Sequence, residues 1–333
     1  MKAPTFWQTG QGGISAVLLT PVSCVWRAAA ALKKAFGATP WRAPVPVICI
    51  GNVTAGGAGK TPVALDIAAR LIANGAKTHF LTRGYGGQLQ GPVSVDPNSH
   101  SASDVGDEAL LLARTAPTWA GSDRAASARL AVAAGAEVLI MDDGFQNFTL
   151  SKDLSLLVFD GGYGIGNGRV IPAGPLRDPL SHALTRAHGI VIIGDDQMGV
   201  FESVSSSLPK LSAHIRPNTK SVDLTAGKYL AFAGIGRPEK FFKTLRDADV
   251  DVVATTGFAD HHFFSAADLS ALRAQAEAAG ARLITTEKDW LRLDQSDRDG
   301  IDVLTVNIEW QDEGAIDRLL TPLIESLKVS HAD

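Results

Sequence analysis

The residues of this chain that most plainly carry chemistry lie between Gly51 and Thr61, which read GNVTAGGAGKT. They follow a continuous apolar run, Val45 to Gly51, and precede a helical pattern that Pro62 opens at its first turn. In such a setting glycines let backbone N–H groups fold around phosphate oxygens, and the helix N-terminus adds the positive end of its dipole. Thr54, Ala55, Gly56, Gly57, Ala58 and Gly59 would form the cradle. Lys60 would reach the β- and γ-phosphates of ATP, and the Thr61 hydroxyl would ligate its Mg²⁺.

The usual spacing G-x-x-x-x-G-K-[ST] expects glycine where Thr54 stands. The paired Gly56 and Gly57 before Gly59 resemble instead the loop of a subclass that includes partition ATPases and some metabolite kinases. Glu137 to Asp143 (EVLIMDD) supplies a second half, an apolar strand ending in carboxylates near the phosphate loop. Asp142 or Asp143 would bind the magnesium, directly or through water; alone, such a pair would more often cap a turn. Arg177, in a loop dense in Pro and Gly, either clamps phosphate charge or pairs with Asp178. Gly161 to Gly168 has glycine spacings of a dinucleotide fingerprint but precedes no helix, which removes that reading.

These residues need a scaffold, and the pattern supplies one. Apolar runs at Val45 to Gly51, Lys77 to Thr82, Glu137 to Met141, Leu154 to Asp160 and Gly189 to Gly194 read as buried strands. Helical patterns at Pro62 to Ala73, Asp107 to Arg114 and Asp123 to Ala134 alternate with them. The alternation predicts an α/β fold of the phosphate-loop type, a mostly parallel sheet with helices on both faces and ligands at the carboxyl ends of its strands.

Serines, Pro209, Pro217 and scattered charge make residues 195 to 227 an expected connection. A second alternating set follows, with strands at Tyr229 to Gly234, Asp251 to Thr255, Arg282 to Thr286 and Asp302 to Asn307, and helices at Pro238 to Ala248, Ser265 to Ala279 and up to about Lys328. The expected organisation is an N-terminal helix over residues 1–40, a core domain over 41–210 and a smaller α/β domain over 211–333 that closes over the active site.

At 333 residues, with 45% hydrophobic and 20% charged side chains, the chain is globular rather than disordered or fibrous. Cys24 and Cys49 support neither a disulfide framework nor a cysteine metal site, which fits a reducing compartment. The net charge of −4 hides an asymmetry: residues 1 to 59 carry Lys2, Arg27, Lys33, Lys34 and Arg42 and no acid. Ile14, Val17, Leu18, Pro21, Val22, Val25, Ala29, Leu32 and Phe36 recur at three- and four-residue steps, an amphipathic helix rather than a span, since Pro21 and Arg27 interrupt it. With Trp7, Trp26 and Trp41 nearby, the stripe suits an anionic membrane surface, and equally a helix packed on the chain's own sheet.

Further islands run along the chain: RGYGG (Arg83 to Gly87), GDE (Gly106 to Glu108), DDGFQ (Asp142 to Gln146), NGRVIPAGPLRDP (Asn167 to Pro179), ADHHFF (Ala259 to Phe264) and TTEKDWLRL (Thr285 to Leu293). Together with GNVTAGGAGKTP (Gly51 to Pro62) they resemble the tetraacyldisaccharide 4′-kinase family of lipid A synthesis. The resemblance implies ATP-dependent phosphorylation of the 4′-hydroxyl of a tetra-acylated glucosamine disaccharide 1-phosphate, by a peripheral protein at the cytoplasmic face of a Gram-negative inner membrane. It calls for no nucleic acid and no obligatory protein partner. Carried over by motif, Asp107 would accept the attacking hydroxyl's proton, His261 would be its partner, and Glu108 would be a carboxylate near the magnesium. Without the resemblance, Asp107 and Glu108 read as first-turn helix acids and His261 as an ordinary loop histidine.

Three positions depart from the family pattern: Asn147 replaces a usual histidine, Ala109 a proline and Asp178 a glutamate. Asn147 puts in doubt a basic side chain's role at its position. The competing function is a nucleotide switch of the partition-ATPase subclass acting on protein partners at the membrane. That subclass often carries an extra lysine where Ala55 stands, and its absence counts against this reading. In Thr286 to Asp289 the lysine falls one place too late for guanine recognition.

Overall fold

The computed structural model describes residues 4–8, 10, 12–35, 39–204, 207–218, 224 and 227–330. Phe36 and Lys2 lie outside the described residues, as do the side chains of Lys33 and Lys34.

After a short 3-10 turn at Thr5–Trp7 comes helix α1 (Gly13–Ala35), which Pro21 does not end. Strands and helices then largely alternate, with β2–β3, α3–α4 and β5–β6 consecutive: β1 (Val47–Gly51), α2 (Lys60–Ala73), β2 (Thr78–Thr82), β3 (Val93–Ser94), α3 (Ala102–Val105), α4 (Asp107–Ala113), β4 (Thr118–Ala120), α5 (Arg124–Ala133), β5 (Val138–Asp142) and β6 (Leu154–Asp160). There follow α6 (Leu180–Leu184), β7 (Gly189–Ile193), α7 (Val200–Ser203) and β8 (Lys210–Pro217). A second set comprises β9 (Lys228–Ala233), α8 (Pro238–Asp247), β10 (Val252–Gly257), α9 (Ala266–Ala278), β11 (Ala281–Thr286), α10 (Glu287–Arg292) and β12 (Ile301–Leu304). The chain ends with β13 (Val306–Trp310) and α11 (Glu313–Ser330).

Among the described residues nine strands form one sheet in the order β13-β8-β7-β6-β1-β5-β2-β4-β3, parallel except at its two edge pairs. Successive side chains of a strand point to opposite faces, and both faces here are apolar. Ile48, Ile50, Ile140 and Val158 pack under α2 and α11, while Val47, Cys49, Met141 and Phe159 pack on the other side. The sheet is the mostly parallel, doubly covered one that the alternation predicts. The strand order reverses about β1, so the loop after it opens at the switch point where a parallel sheet leaves a crevice.

A four-stranded parallel sheet, β10-β9-β11-β12, forms the second unit. Tyr229, Phe241, Phe242 and Ile284 fill one of its faces and Phe232, Leu269, Leu272 and Leu283 the other.

The single strand that the pattern predicts over Asp302 to Asn307 is instead two strands, and they belong to different sheets. β8 lies within the expected connection of 195 to 227, and the sheets therefore divide the chain elsewhere than at 210. β8, β13 and α11 belong with the large sheet, so the second unit is inserted between β8 and β13. The reason is physical: β13 is the edge strand and β8 its neighbour, and both bury alternate residues only, so neither shows the continuous apolar run of the strands at the middle of the sheet.

Candidate active site

β1 delivers the phosphate loop at the middle of the large sheet. A side chain at Gly51 would meet Phe145 Cβ at 2.4 Å, so only glycine fits that exit from the strand. Gly59 caps α2 with φ of 86°, a left-handed conformation that glycine adopts without strain. The Asn52 amide bridges the loop, donating to Thr54 O at 2.8 Å and Gly56 O at 3.3 Å. From outside, Ala55 N–H donates to Pro175 O (2.8 Å) and Arg177 N–H to Val53 O (2.7 Å), so the Asn167 to Pro179 block pins the loop.

The register of β1 on β5 sets Asp142 beside Ile50, one residue before the loop. Thr61 Oγ1 donates to Asp142 Oδ2 at 2.9 Å. Asp142 is 1% exposed, and its Oδ1 is buried with no hydrogen-bond partner among the described residues. Burial, then the nearby Glu108 charge, push its carboxyl up to about 7. Asp143 turns away at φ 53° toward two cations, Lys60 Nζ at 3.6 Å and Arg177 Nη1 at 3.0 Å. Burial opposes its charge, but Lys60 and Arg177 outweigh it and hold the carboxyl below the ordinary range. Arg177 thus pairs with Asp143, while Asp178 pairs with Arg186.

Asp107 and Glu108 open α4, and both meet the second unit. His261 Nδ1 lies 3.3 Å from Asp107 Oδ2, and Arg292 Nε donates to that oxygen at 2.7 Å. Burial raises the Asp107 carboxyl, but the bond to His261 and the Arg292 and Lys288 charges bring it far below the usual range. The Asp107 bond in turn raises His261. Asp107 is 3% exposed; His261, at φ 56° with its ring tilted against Tyr85, is the member of the pair that lines the cleft. Glu108 Oε1 accepts from Lys288 Nζ at 2.6 Å, and the Lys288 charge holds Glu108 below its ordinary value.

Among the described residues no three His, Cys, Asp or Glu side chains converge as a closed metal cage. A hydroxyl facing a buried carboxylate that has one free oxygen suits Mg²⁺, which binds through one or two carboxylates and leaves its other positions to phosphate and water. Asp143, engaged by Lys60 and Arg177, has less to offer a cation directly.

Lys288, Arg292, Arg237 and Lys240 also belong to this site, and Asp160 pairs with Lys240 beside it; sequence reasoning does not single them out. Lys288 and Arg292 sit in the TTEKDWLRL block, on a helix of six residues that is too short to show a period. Asp160 did carry a signal: like Asp142, it is a carboxylate ending a fully buried strand.

A cleft of about 2290 Å³ runs from the phosphate loop between the two units to Cys24, Trp26 and Arg27 of α1. Of the two readings of that helix, the structure supports an outward-facing stripe: Ile14, Leu18 and Val25 are 79%, 71% and 70% exposed. Its opposite face docks through Ala16 and Ser23. The Ser23 hydroxyl donates to Val170 O (2.8 Å) and accepts from Ala173 N–H (3.1 Å), so the same block that pins the phosphate loop also holds the helix. No helix among the described residues is long and apolar enough to cross a membrane.

A family model described as tetraacyldisaccharide-1-P 4′-kinase matches residues 15–325. A tetraacyldisaccharide 4′-kinase of Rhodospirillum centenum is 51% identical over 328 residues, 97% of either chain. One of Gluconacetobacter diazotrophicus is 50% identical over 320 residues, 96% of this chain and 97% of that one. Among solved structures, LpxK from Aquifex aeolicus in complex with ATP matches with a TM-score of 0.74 at 26% identity, over 93% of this chain and 99% of the other.

Proposed function

This chain belongs to the tetraacyldisaccharide 4′-kinase family, and we propose that the cleft described above is where it moves the γ-phosphate of ATP, with Mg²⁺, onto its lipid substrate. It is an ATP-dependent kinase of lipid A synthesis acting on the 4′-hydroxyl of tetraacyldisaccharide 1-phosphate. The observation that carries the site assignment is the convergence of the phosphate loop, the Thr61–Asp142 pair and the Asp107–His261 pair on one cleft.

Phosphoryl transfer needs positioning and neutralisation of charge more than covalent chemistry. The loop amides from Thr54 to Gly59 and the start of α2 hold the β- and γ-phosphates, and Lys60 stabilises the charge that develops on the transferred group. Thr61 and Asp142 would hold Mg²⁺, with Glu108 near it and Asp143 one residue on, and the ion would supply positive charge against the negative charge of the phosphates. Arg177, kept in place by Asp143, lies at the cleft as a clamp for phosphate charge.

The acceptor hydroxyl gives up its proton as its oxygen attacks phosphorus. Asp107 alone is a weak base, because its charge is so well stabilised. Coupled to His261 it orients an imidazole toward the cleft, and the pair accepts the proton as a unit. One member comes from each unit, so closure of the second unit over the cleft completes the site.

The outward apolar face of α1, with Trp26 and Arg27 at the end of the cleft, supports peripheral docking on an anionic membrane, at the cytoplasmic face where such a lipid substrate is presented. The test is transfer of label from γ-labelled ATP into acylated disaccharide 1-phosphate in detergent micelles with and without Mg²⁺. Label in the lipid only with Mg²⁺ supports the reading, and hydrolysis to free phosphate without lipid labelling contradicts it.

A further inference from the structure

A third ion cluster joins the two units, away from the proton-accepting pair. Asp160 ends β6, the neighbour of β1, and is 3% exposed. Its Oδ2 meets Arg237 Nη2 at 2.7 Å and Lys240 Nζ, both at the start of α8, and its Oδ1 accepts from Gly162 N–H at 3.0 Å. Asp160 is buried while Arg237 and Lys240 are partly exposed, and a carboxylate buried there needs its cations, so the contact anchors α8 to the large unit. Arg237 reaches further than Lys240: the same Nη2 donates to Gly57 O, in the phosphate loop, at 2.9 Å, and the guanidinium lies 5.1 Å from the centre of the Tyr163 ring. The carbonyl of Gly57 and the N–H of Ala58 belong to one planar trans peptide and point in opposite directions. Fixing the carbonyl from outside therefore fixes an amide of the phosphate cradle.

The other end of the same short segment holds the proton-accepting pair. Gly234 O accepts from His261 N–H at 2.9 Å and from Arg292 Nη1 at 2.9 Å, and Arg292 in turn holds Asp107. Residues 234 to 237 thus span the distance between the phosphate loop and the Asp107–His261 pair. We infer that Arg237 is a nucleotide-sensing positioning residue: by gripping Gly57 O from the second unit it ties the shape of the phosphate loop to the placement of His261. Binding of ATP and assembly of the proton acceptor become one coupled event, a conclusion that rests on the kinase reading above. A planar fork with several donors serves Asp160 and Gly57 together, which a lysine ammonium on a flexible stem does poorly.

The test uses the full chain as wild type, Arg237→Ala, Arg237→Lys and Lys240→Ala, with two readouts. One is affinity for a fluorescent ATP analogue; the other is the rate at which diethyl pyrocarbonate modifies His261, mapped by peptide mass spectrometry with and without ATP. ATP should change the His261 rate in wild type and in Lys240→Ala. In Arg237→Ala nucleotide affinity should fall about tenfold or more, and the His261 rate should no longer respond even at saturating nucleotide. Arg237→Lys should recover only part of both. Should Arg237→Ala fail to fold, Arg237→Gln carries the same expectation. Wild-type affinity together with an unchanged His261 response in these variants would overturn the inference while leaving the kinase reading intact. A wild-type chain that binds no nucleotide would overturn that reading, and the inference with it.

Discussion

His261 Nδ1 lies 3.3 Å from Asp107 Oδ2, and the two residues come from different sheets: one opens α4 in the large unit, the other precedes α9 in the inserted one. The pair exists only when both units are in place. Groups that act as a unit are not additive on removal. Asp107→Ala, His261→Ala and the double variant should therefore lose similar factors in kcat, with KM for ATP little changed. Multiplicative losses in the double variant would show two independent roles.

The same contact has a pH signature in stability. The bond to Asp107 raises the His261 pKa above its ordinary 6.5, so the stabilisation is fully present below that value and is lost as pH rises through the raised one. Asp107 itself stays ionised across this window, because its carboxyl is held far lower. The melting temperature of wild type should exceed that of His261→Gln by more at pH 6 than at pH 9. A gap that is constant or widens with pH would show that a protonated His261 contributes nothing.

How much of this was legible beforehand depends on how each residue is held. The phosphate loop and Asp142 stand at the ends of strands buried on both faces, where a continuous apolar run announces the strand and the candidate residues come at its end. Asp107 and His261 became candidates only through resemblance, since an acid in a first turn and a loop histidine are ordinary by themselves. Lys288 and Arg292 escaped notice because their roles are pairings across two units, and no local pattern encodes a partner so distant in the chain. β8 and β13 are hard to read for a related reason: the edge strand and its neighbour each bury one face only, and their alternation is diluted by charge.

The α1 stripe makes a separate prediction. Leu18 and Val25 face outward while Ser23 docks the helix, so Leu18→Glu with Val25→Glu should barely change thermal stability, as exposed substitutions shift it by only about 0.5 kcal/mol or less. Burying each side chain at an interface is worth roughly 1.5 kcal/mol or more, so binding to anionic vesicles should drop by at least about tenfold. Co-sedimentation and thermal unfolding on one preparation check this. Unchanged vesicle binding would refute docking through this face, and a sharp loss of stability would show that the stripe packs inside the protein.

On the proposed mechanism the loop from Gly51 to Thr61 carries the phosphate transferred to lipid. Lys60 heads α2 at 3.6 Å from Asp143, free to exchange that partner for a γ-phosphate. The most direct measurement is the initial rate of label transfer from γ-labelled ATP into acylated disaccharide 1-phosphate by wild type and Lys60→Ala, in the same micelles, with folding of the variant confirmed by its melting temperature. A folded variant slower by about a hundredfold or more is the predicted result, from removal of one preorganised charge at the developing transition state. Transfer by that variant at the wild-type rate would show that the loop does not carry the transferred phosphate.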